Sequence, residues 1–422
     1  MPPDPLALGV DLGSSGLRLA LTDSGGELLE EITSPYPAPF SDPEGWRQGL
    51  IGLVAQLPQT LRQRVGALAL DGTSGTLLLC RPDGSLGAGP LGQALPYHRA
   101  CPEQAATAAA LAGEGPASGA SGSLARALAL LAAAESSGAS GPWLLRHQAD
   151  WLMGWLLNDW RWGEEGNNLR LGWDLQLRRW CGSIEAQSWA GALPTVIASG
   201  SVLGPLGHQA ATALKLPGSC EVVAGSTDAN AGVLAADPAA GDGITVLGTT
   251  LVLKQWAPGP IVGPGVSSHR LAGRWLVGGA ANAGGGVLRH FFSDSQLAEL
   301  SRQIDPRRPS DLKLRPLPGR GERFPIDDPD LEPVLEPRPV SDALFLQGLL
   351  EGLARHEAAG WARLRELGAP PIDRVITLGG GATNPQWRAI RQSILGIPVL
   401  NRPKLSAALG MARLAATALS RP

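Results

Sequence analysis

Leu6-Ala-Leu-Gly-Val-Asp11-Leu-Gly13-Ser14-Ser15-Gly16-Leu-Arg18-Leu-Ala-Leu-Thr22-Asp23-Ser-Gly-Gly26 is the stretch whose reading decides the fold. Leu6 to Val10 is an apolar run that predicts a buried strand. Leu17 to Thr22 predicts a second strand, closed by a Gly-Gly turn. The loop between them holds two glycines and two serines, and an aspartate ends the first strand. Bare N–H groups and small hydroxyls donate to phosphate oxygens, and a carboxylate holds a metal directly or through water. An aspartate ending a buried strand must be hydrogen-bonded, paired or metal-bound. Asp11 is therefore a candidate for organising Mg²⁺, mostly through water, since Mg²⁺ keeps part of its hydration shell.

The same layout returns at Gly241-Asp-Gly-Ile-Thr-Val-Leu-Gly248-Thr249-Thr250-Leu-Val-Leu-Lys254. It is the one internal repeat, and it links two halves of the chain. A third glycine turn, Gly379-Gly380-Gly381-Ala-Thr-Asn384-Pro385, follows the apolar strand Arg374 to Leu378. Asn384 suits a helix N-cap and Pro385 the first helical position. Alone, each turn reads as a place that needs glycine for positive φ. Together they predict a nucleotide in a cleft between two similar domains. One hairpin from each domain would reach the phosphates, and adenosine would lie against the bare backbone of the triple glycine. None of the turns is a P-loop, and none fits the dinucleotide fingerprint.

Glu221 to Asp228 reads as a strand entering a small-residue turn, with a helix from Ala229 to Ala236. Asp228 is either a helix cap or the general base that takes the proton from a substrate hydroxyl. Phosphoryl transfer rests on positioning and charge neutralisation, so a carboxylate of ordinary basicity serves there. Asp71-Gly-Thr-Ser74-Gly-Thr, after the strand Arg64 to Leu70, is either a turn or a sugar-facing loop.

Elsewhere, helices are expected over Trp46 to Arg64, Leu124 to Ala134, Gln148 to Leu157, Asn282 to Phe292, Phe345 to Leu367, Trp387 to Leu395 and Leu405 to Leu419. Mobile loop flanks the second of these. Residues 305–341, rich in Pro, Arg and Asp, read as a long ordered or partly mobile loop. The Trp-rich part from Trp143 to Trp189 reads as core and lid surface rather than a sugar-stacking platform. His98, His147, His208, His269, His290 and His356 show no ligand spacing.

The 422 residues suffice for two domains with real cores, and 44% apolar and 17% charged residues are globular values. A net charge of −3 points to neither nucleic acid nor a membrane surface. No apolar run is long enough to span a bilayer. The first residues lack the pattern of a secretory signal. Cys80, Cys101, Cys181 and Cys220 are scattered without a CxxC pair, which favours reduced thiols and a cytoplasmic location.

Taken together, these residues resemble the FGGY carbohydrate kinase family of the actin-like ATPase superfamily, over nearly the whole chain. Asp11-x-Gly13-Ser14-Ser15 resembles the family's first phosphate motif and Gly248-Thr249-Thr250 its second. Gly379 to Asn384 resembles its adenosine motif, and Gly225-Ser-Thr-Asp228 the turn carrying its catalytic aspartate. Asp71-Gly-Thr-Ser-Gly-Thr, Leu247 to Lys254, Pro318 to Pro325 and Phe345 to Gly352 resemble the short D-ribulose kinases of cyanobacteria and plant plastids, first labelled xylulokinase-like. Bacterial xylulose kinases usually carry Gln-Met-His-Gly where this chain has Gly72-Thr73-Ser74-Gly75. They also carry a Trp-x-Asp-x-Arg sugar loop where it has Tyr97-His98-Arg99-Ala100-Cys101.

The resemblance implies two α/β domains of the ribonuclease H-like type, each a mixed sheet flanked by helices, with the active site in the interdomain cleft. The expected boundaries are 1–235, joined by a terminal helix at 409–422, and 236–408. The implied reaction is ATP plus D-ribulose giving D-ribulose 5-phosphate and ADP, with Mg²⁺. Asp228 would be the base and touch the sugar, and Asp11 would organise the metal. Gly13, Ser14, Ser15, Gly248, Thr249, Gly285, Gly380, Gly381 and Asn384 would bind ATP, with Trp387 as a wall. Ser74 and Ser15 would meet the sugar. A monomer or homodimer is expected. A kinase for xylulose or another small polyol, and a nucleotide-gated binding protein or slow ATPase, remain open alternatives.

Overall fold

The computed structural model describes residues 4–113 and 115–420. The chain divides into two compact units. The first runs to Ala235 and takes in Arg270–Gly273 and the segment from Ser406 onward. The second comprises Ala236–His269 and Arg274–Leu405.

In chain order the first unit builds β1 (Leu6–Gly13), β2 (Gly16–Thr22), β3 (Leu28–Ser34), α1 (Pro43–Ala55) and β4 (Val65–Gly72). A two-stranded ribbon, β5 (Leu77–Cys80) and β6 (Leu144–His147), follows, with α2 (Ser123–Ser136) between its strands. Then come α3 (Gln148–Leu157), β7 (Val202–Pro205), β8 (Glu221–Thr227) and α4 (Asp228–Ala236). The main sheet has the order β7-β8-β4-β1-β2-β3. β1 is antiparallel to β2 and parallel to β4, which is parallel to β8.

The second unit contains β9 (Asp242–Leu247), β10 (Leu251–Ala257), β11 (Val266–Leu271), β12 (Arg274–Ala280), α5 (Asp294–Arg302), α6 (Asp342–Glu366), β13 (Arg374–Leu378), α7 (Pro385–Leu395) and β14 (Val399–Asn401). Its sheet has the order β11-β12-β10-β9-β13-β14. Here β9 is antiparallel to β10 and parallel to β13, which is parallel to β14. The hairpin β9–β10 thus repeats the place of β1–β2, and β13 that of β4. The sequence repeat is a repeat of sheet topology, and both sheets are mixed.

The strand faces explain the packing. Leu6, Leu8, Val10 and Leu12 of β1 join Trp46 of α1 and Trp151 of α3 in one core, as the period-2 alternation requires. On the opposite face, Ala7, Ala67, Ala69 and Val223 meet the last helix, α8 (Ala407–Leu419), through Met411, Leu414 and Ala415. Only small residues stand under α8. A Cβ on Gly9 would lie 2.0 Å from the Ala408 carbonyl oxygen and 2.1 Å from the Ala412 nitrogen. Leu419, at the far end of α8, packs on Gly66 at the start of β4. α8 therefore runs antiparallel to β1 and β4, and its N-terminus lies at the end of the sheet where both strands finish.

Several elements depart from the sequence reading. The helix expected over Trp46 to Arg64 begins at Pro43, capped by Asp42, and stops at Ala55. Pro58 separates it from a single turn at Gln59–Arg62, because proline cannot continue a helix. The mobile loop expected around Leu124 to Ala134 contains a second helix, Ala105–Ala112. The helix expected over Asn282 to Phe292 is only a 3₁₀ segment, Gly285–His290. Three consecutive glycines deny an α-helix a stable first turn. Residues 305–341 hold no helix or named strand, as expected, but they are tied down. Glu322 accepts from the N–H groups of Asn282 (2.5 Å) and Ala283 (3.0 Å), and His356 Nε2 stands 3.3 Å from it. Burial alone would raise its carboxyl, but these bonds hold it at about 2. All four cysteines are free. No helix among the described residues is long and apolar enough to cross a membrane.

Candidate active-site groups in the two units

In the first unit, a row of carboxylates forms where the strands end. Asp11 of β1 pairs in register with Asp71 of β4, and parallel neighbours lie about 4.8 Å apart. Asp228 follows β8 and opens α4. Asp11 is 2% exposed and Asp71 is fully buried, whereas Asp228 is half-buried. Arg18 on β2 donates from Nη1 to Asp11 Oδ2 at 2.7 Å. Asp11 Oδ1 and both Asp71 oxygens lack a hydrogen-bond partner among the described residues. Burial, then the charges of Asp11 and Asp228 and the contact with Asp11, holds the Asp71 carboxyl well above the usual carboxylate range; Arg18 opposes this. The positive end of α8's dipole points to the same end of the sheet and favours the remaining negative charge.

The sequence reading missed Asp71, treating it as the first residue of a loop. It is the seventh residue of β4, inside the sheet. A signal existed: Leu70-Asp71-Gly72 with its following hydroxyls echoes Val10-Asp11-Leu12-Gly13-Ser14-Ser15.

This residue gives a test of stability. A raised carboxyl favours the fold fully below the unfolded value near pH 4, and that contribution is lost as pH rises through the folded value. Asp71→Asn does not titrate. Its melting temperature, relative to the parent, is expected to climb as pH rises above about 4 and to level off beyond the folded value. Each unit of separation is worth about 1.4 kcal/mol. Melting curves from pH 4 to 8 check this; a constant difference across the range would contradict it.

The tip of the β1–β2 hairpin carries Ser14 and Ser15, both exposed. Gly13 lies behind them with no room to spare: a Cβ there would stand 3.2 Å from Arg18 Nη1. Ser74 is half-buried in the turn after β4. Its neighbour Thr73 is fixed by Gln148 of α3, whose Oε1 accepts from Thr73 N at 3.1 Å and Thr73 Oγ1 at 2.9 Å. Arg126 of α2 donates to the carbonyl oxygens of Gly75, Tyr97, Arg99 and Ser121, and so braces the loop from below.

In the second unit, a cavity of about 770 Å³ gathers residues from five separate segments. Gly248 and Thr249 come from the β9–β10 hairpin, Gly285 from the glycine run, Ser301 from α5, and Gly380, Gly381, Asn384 and Trp387 from the triple-glycine turn and α7. Leu288, Leu297, Leu346 and Leu350 give it an apolar wall. Gly285 N donates to Gly248 O at 2.9 Å and Gly286 N to Thr249 O at 3.0 Å, which folds the glycine run onto the hairpin. Gly379 needs its positive φ of 83°, and a Cβ there would stand 2.8 Å from Leu247 O. Asn384 caps α7, accepting from Trp387 N at 3.0 Å and donating to Ser301 Oγ at 2.8 Å. These two bonds fix the orientation of its amide at the cavity lining. Trp387 is buried, with its ring under Gly381.

An ion of the Mg²⁺ type fits the first unit's donor set, because Asp11 Oδ1 is a hard oxygen left without a donor. Among the described residues, no three His, Cys, Asp or Glu side chains group so as to hold a metal by themselves. An ion at Asp11 would therefore keep most of its water.

Comparison with known proteins places this geometry. Over nearly its full length the chain superposes on solved kinases. They include a xyloylose kinase from Brucella ovis (TM-score 0.83, 20% identity, 98% of this chain and 90% of that one). A xylulose kinase from Bifidobacterium adolescentis matches at TM-score 0.79 and 21% identity, over 99% and 93%. A Plasmodium falciparum glycerol kinase solved with ADP matches at TM-score 0.79 and 13% identity, over 98% and 89%. At such identities the likeness is one of fold. Residues 239–419, which include the whole cavity and α8, match the C-terminal domain of the FGGY family of carbohydrate kinases.

Proposed function

We propose that the chain is an ATP-dependent sugar kinase that phosphorylates the terminal hydroxyl of a ketopentose, D-ribulose before others. The observation that carries the reading is the second unit's cavity. Its apolar wall suits a purine, and its glycine-lined edge suits the phosphates that follow. The glycerol kinase of the same fold was solved with ADP, which supports a nucleotide there.

The first unit supplies the acceptor chemistry. Asp228, half-buried at the N-terminus of α4 with Oδ1 accepting from Ala229 N at 2.7 Å, orients the sugar hydroxyl and takes its proton. The freed oxygen attacks the γ-phosphorus in line. Ser14, Ser15 and the amides of their turn hold the γ-phosphate. Thr249, exposed at its hairpin tip, serves the β/γ oxygens. Asp11 would hold Mg²⁺ through water, and the ion would neutralise phosphate charge. Ser74 meets the sugar.

The preference for D-ribulose rests on Asp71-Gly-Thr-Ser-Gly-Thr standing where xylulose kinases carry Gln-Met-His-Gly. The names of several neighbours favour xylulose as a second reading. A panel of D-ribulose, D-xylulose, ribitol and glycerol with coupled ADP detection separates them. The expected result is the highest kcat/KM with D-ribulose. Turnover of ATP that no polyol changes would defeat the kinase reading altogether.

A further inference from the structure

Tyr36 lies in the Pro-rich segment between β3 and α1, a stretch in which the sequence shows no motif. Its ring is held edge-on against Phe40 (centroids 5.6 Å apart), Phe40 against Trp46 (6.0 Å), and Trp46 against Trp151 (6.3 Å). The last two are core residues. The ring is thus anchored to the interior while the residue stays half-exposed. Its hydroxyl accepts from Gln148 Nε2 at 3.4 Å. Burial pushes the phenol up, and the bond from Gln148 works against this. Through Gln148, whose Oε1 bonds Thr73, the hydroxyl is tied to the turn that directly follows β4 and Asp71.

Gln148 itself is fully buried, and both ends of its amide are bonded within the protein. Its oxygen serves Thr73, next to Ser74, and its nitrogen serves Tyr36. One amide therefore fixes two groups that are far apart in sequence: the hydroxyl at residue 36 and the turn at residue 74. Thr73 Oγ1 lies 2.6 Å from Thr76 Oγ1, which in turn accepts from Tyr97 N. A buried and satisfied network of this kind is rigid. The phenol oxygen has one acceptor site filled by Gln148, and its proton remains available to a ligand oxygen. An aromatic face with a polar tip covers a carbon chain and marks one hydroxyl on it.

We propose that Tyr36 is a contact for the acceptor polyol, donating to one of its hydroxyl oxygens, and that Gln148 is the positioning residue that holds Tyr36 and the Ser74 turn at a fixed separation. The pair sets which polyol hydroxyl pattern is accepted. The inference rests on the acceptor reading of the first unit and adds a specificity determinant to it.

Tyr36→Phe keeps the ring packing and removes only the hydroxyl. Its test is steady-state kinetics over the four-polyol panel, with titration calorimetry of each polyol without nucleotide and a melting curve. The expected result is a KM for the preferred polyol raised roughly three- to tenfold, the worth of one neutral hydrogen bond. Discrimination between polyols should narrow, with the KM for ATP and the melting temperature unchanged. A purely structural role would lower the melting temperature and leave the polyol KM alone. A folded Tyr36→Phe protein with unaltered polyol KM and calorimetric affinity overturns the inference and leaves the kinase reading standing. If the parent protein neither binds nor phosphorylates any polyol, the acceptor reading falls and the inference with it.

Discussion

Asp228→Ala is expected to lower kcat for sugar phosphorylation by about 10²- to 10⁴-fold, the range contributed by a positioned general base. The loss should appear with every acceptor, because the group removed handles the attacking hydroxyl whatever chain carries it. Nucleotide affinity should hardly move, since the cavity lined by Gly248, Gly285, Gly381 and Trp387 contains no part of β8 or α4. Nucleotide titration beside steady-state kinetics separates the two effects. A variant keeping more than roughly one part in a hundred of the parent kcat, the lower limit for such a group, would move the base elsewhere. The substitution also removes the acceptor for Ala229 N. Asp228→Asn retains a side-chain oxygen for that bond and should be equally inactive, which distinguishes lost proton transfer from a frayed helix start.

The second large effect concerns stability. Arg391 of α7 and Glu357 of α6 form a bidentate pair at 2.6 and 2.7 Å, each about 1% exposed. Arg391 also donates to Thr377 Oγ1 of β13 at 2.7 Å, and Thr245 of β9 donates to Glu357 Oε1 at 2.6 Å. Two helices and two strands are thereby joined in the second unit. Arg391→Met leaves the carboxylate buried with Thr245 alone to serve it, and breaking a buried pair in this way costs about 3–5 kcal/mol. That is a large share of the roughly 5–15 kcal/mol by which domains are stable. Adding Glu357→Leu should recover most of the loss, because an apolar pair of similar volume often matches a buried ion pair. Urea unfolding of the three proteins reads the difference. A single variant as stable as the parent would show that the pair contributes little.

Much of the fold could be read from sequence because the strands are strongly apolar and run into turns marked by glycine or proline. Leu6 to Val10, Leu77 to Cys80 and Arg374 to Leu378 are examples, and Asn384-Pro385 marked a helix start that the structure repeats. The breaks were harder. The apolar spacing from Trp46 to Arg64 runs straight through Pro58, and that from Asn282 to Phe292 begins on three glycines. In both cases apolar periodicity outvoted backbone chemistry.

The candidate sites divided along similar lines. Turns rich in glycine and hydroxyls announce themselves, so the lining of the second unit's cavity was legible down to Gly285 and Trp387. Asp71, Tyr36 and Gln148 were not. Their significance lies in pairing: Asp71 stands across from Asp11 only through strand register, and Tyr36 and Gln148 are 112 residues apart. Composition and periodicity carry no record of either pairing.

The glycine-lined seat of α8 has a consequence for how the protein is made. The first sheet emerges from the ribosome early, with one face finished by α1 and α3. Its other face, the small-residue surface of Ala7, Gly9, Ala67 and Ala69, is covered by a helix that follows the whole of the second unit in sequence. Growth from the N-terminus therefore cannot complete the first unit before the second has been translated. During that interval the nascent chain carries an open apolar face, and completion of the first unit waits on translation of α8 rather than on the order in which its own strands appear.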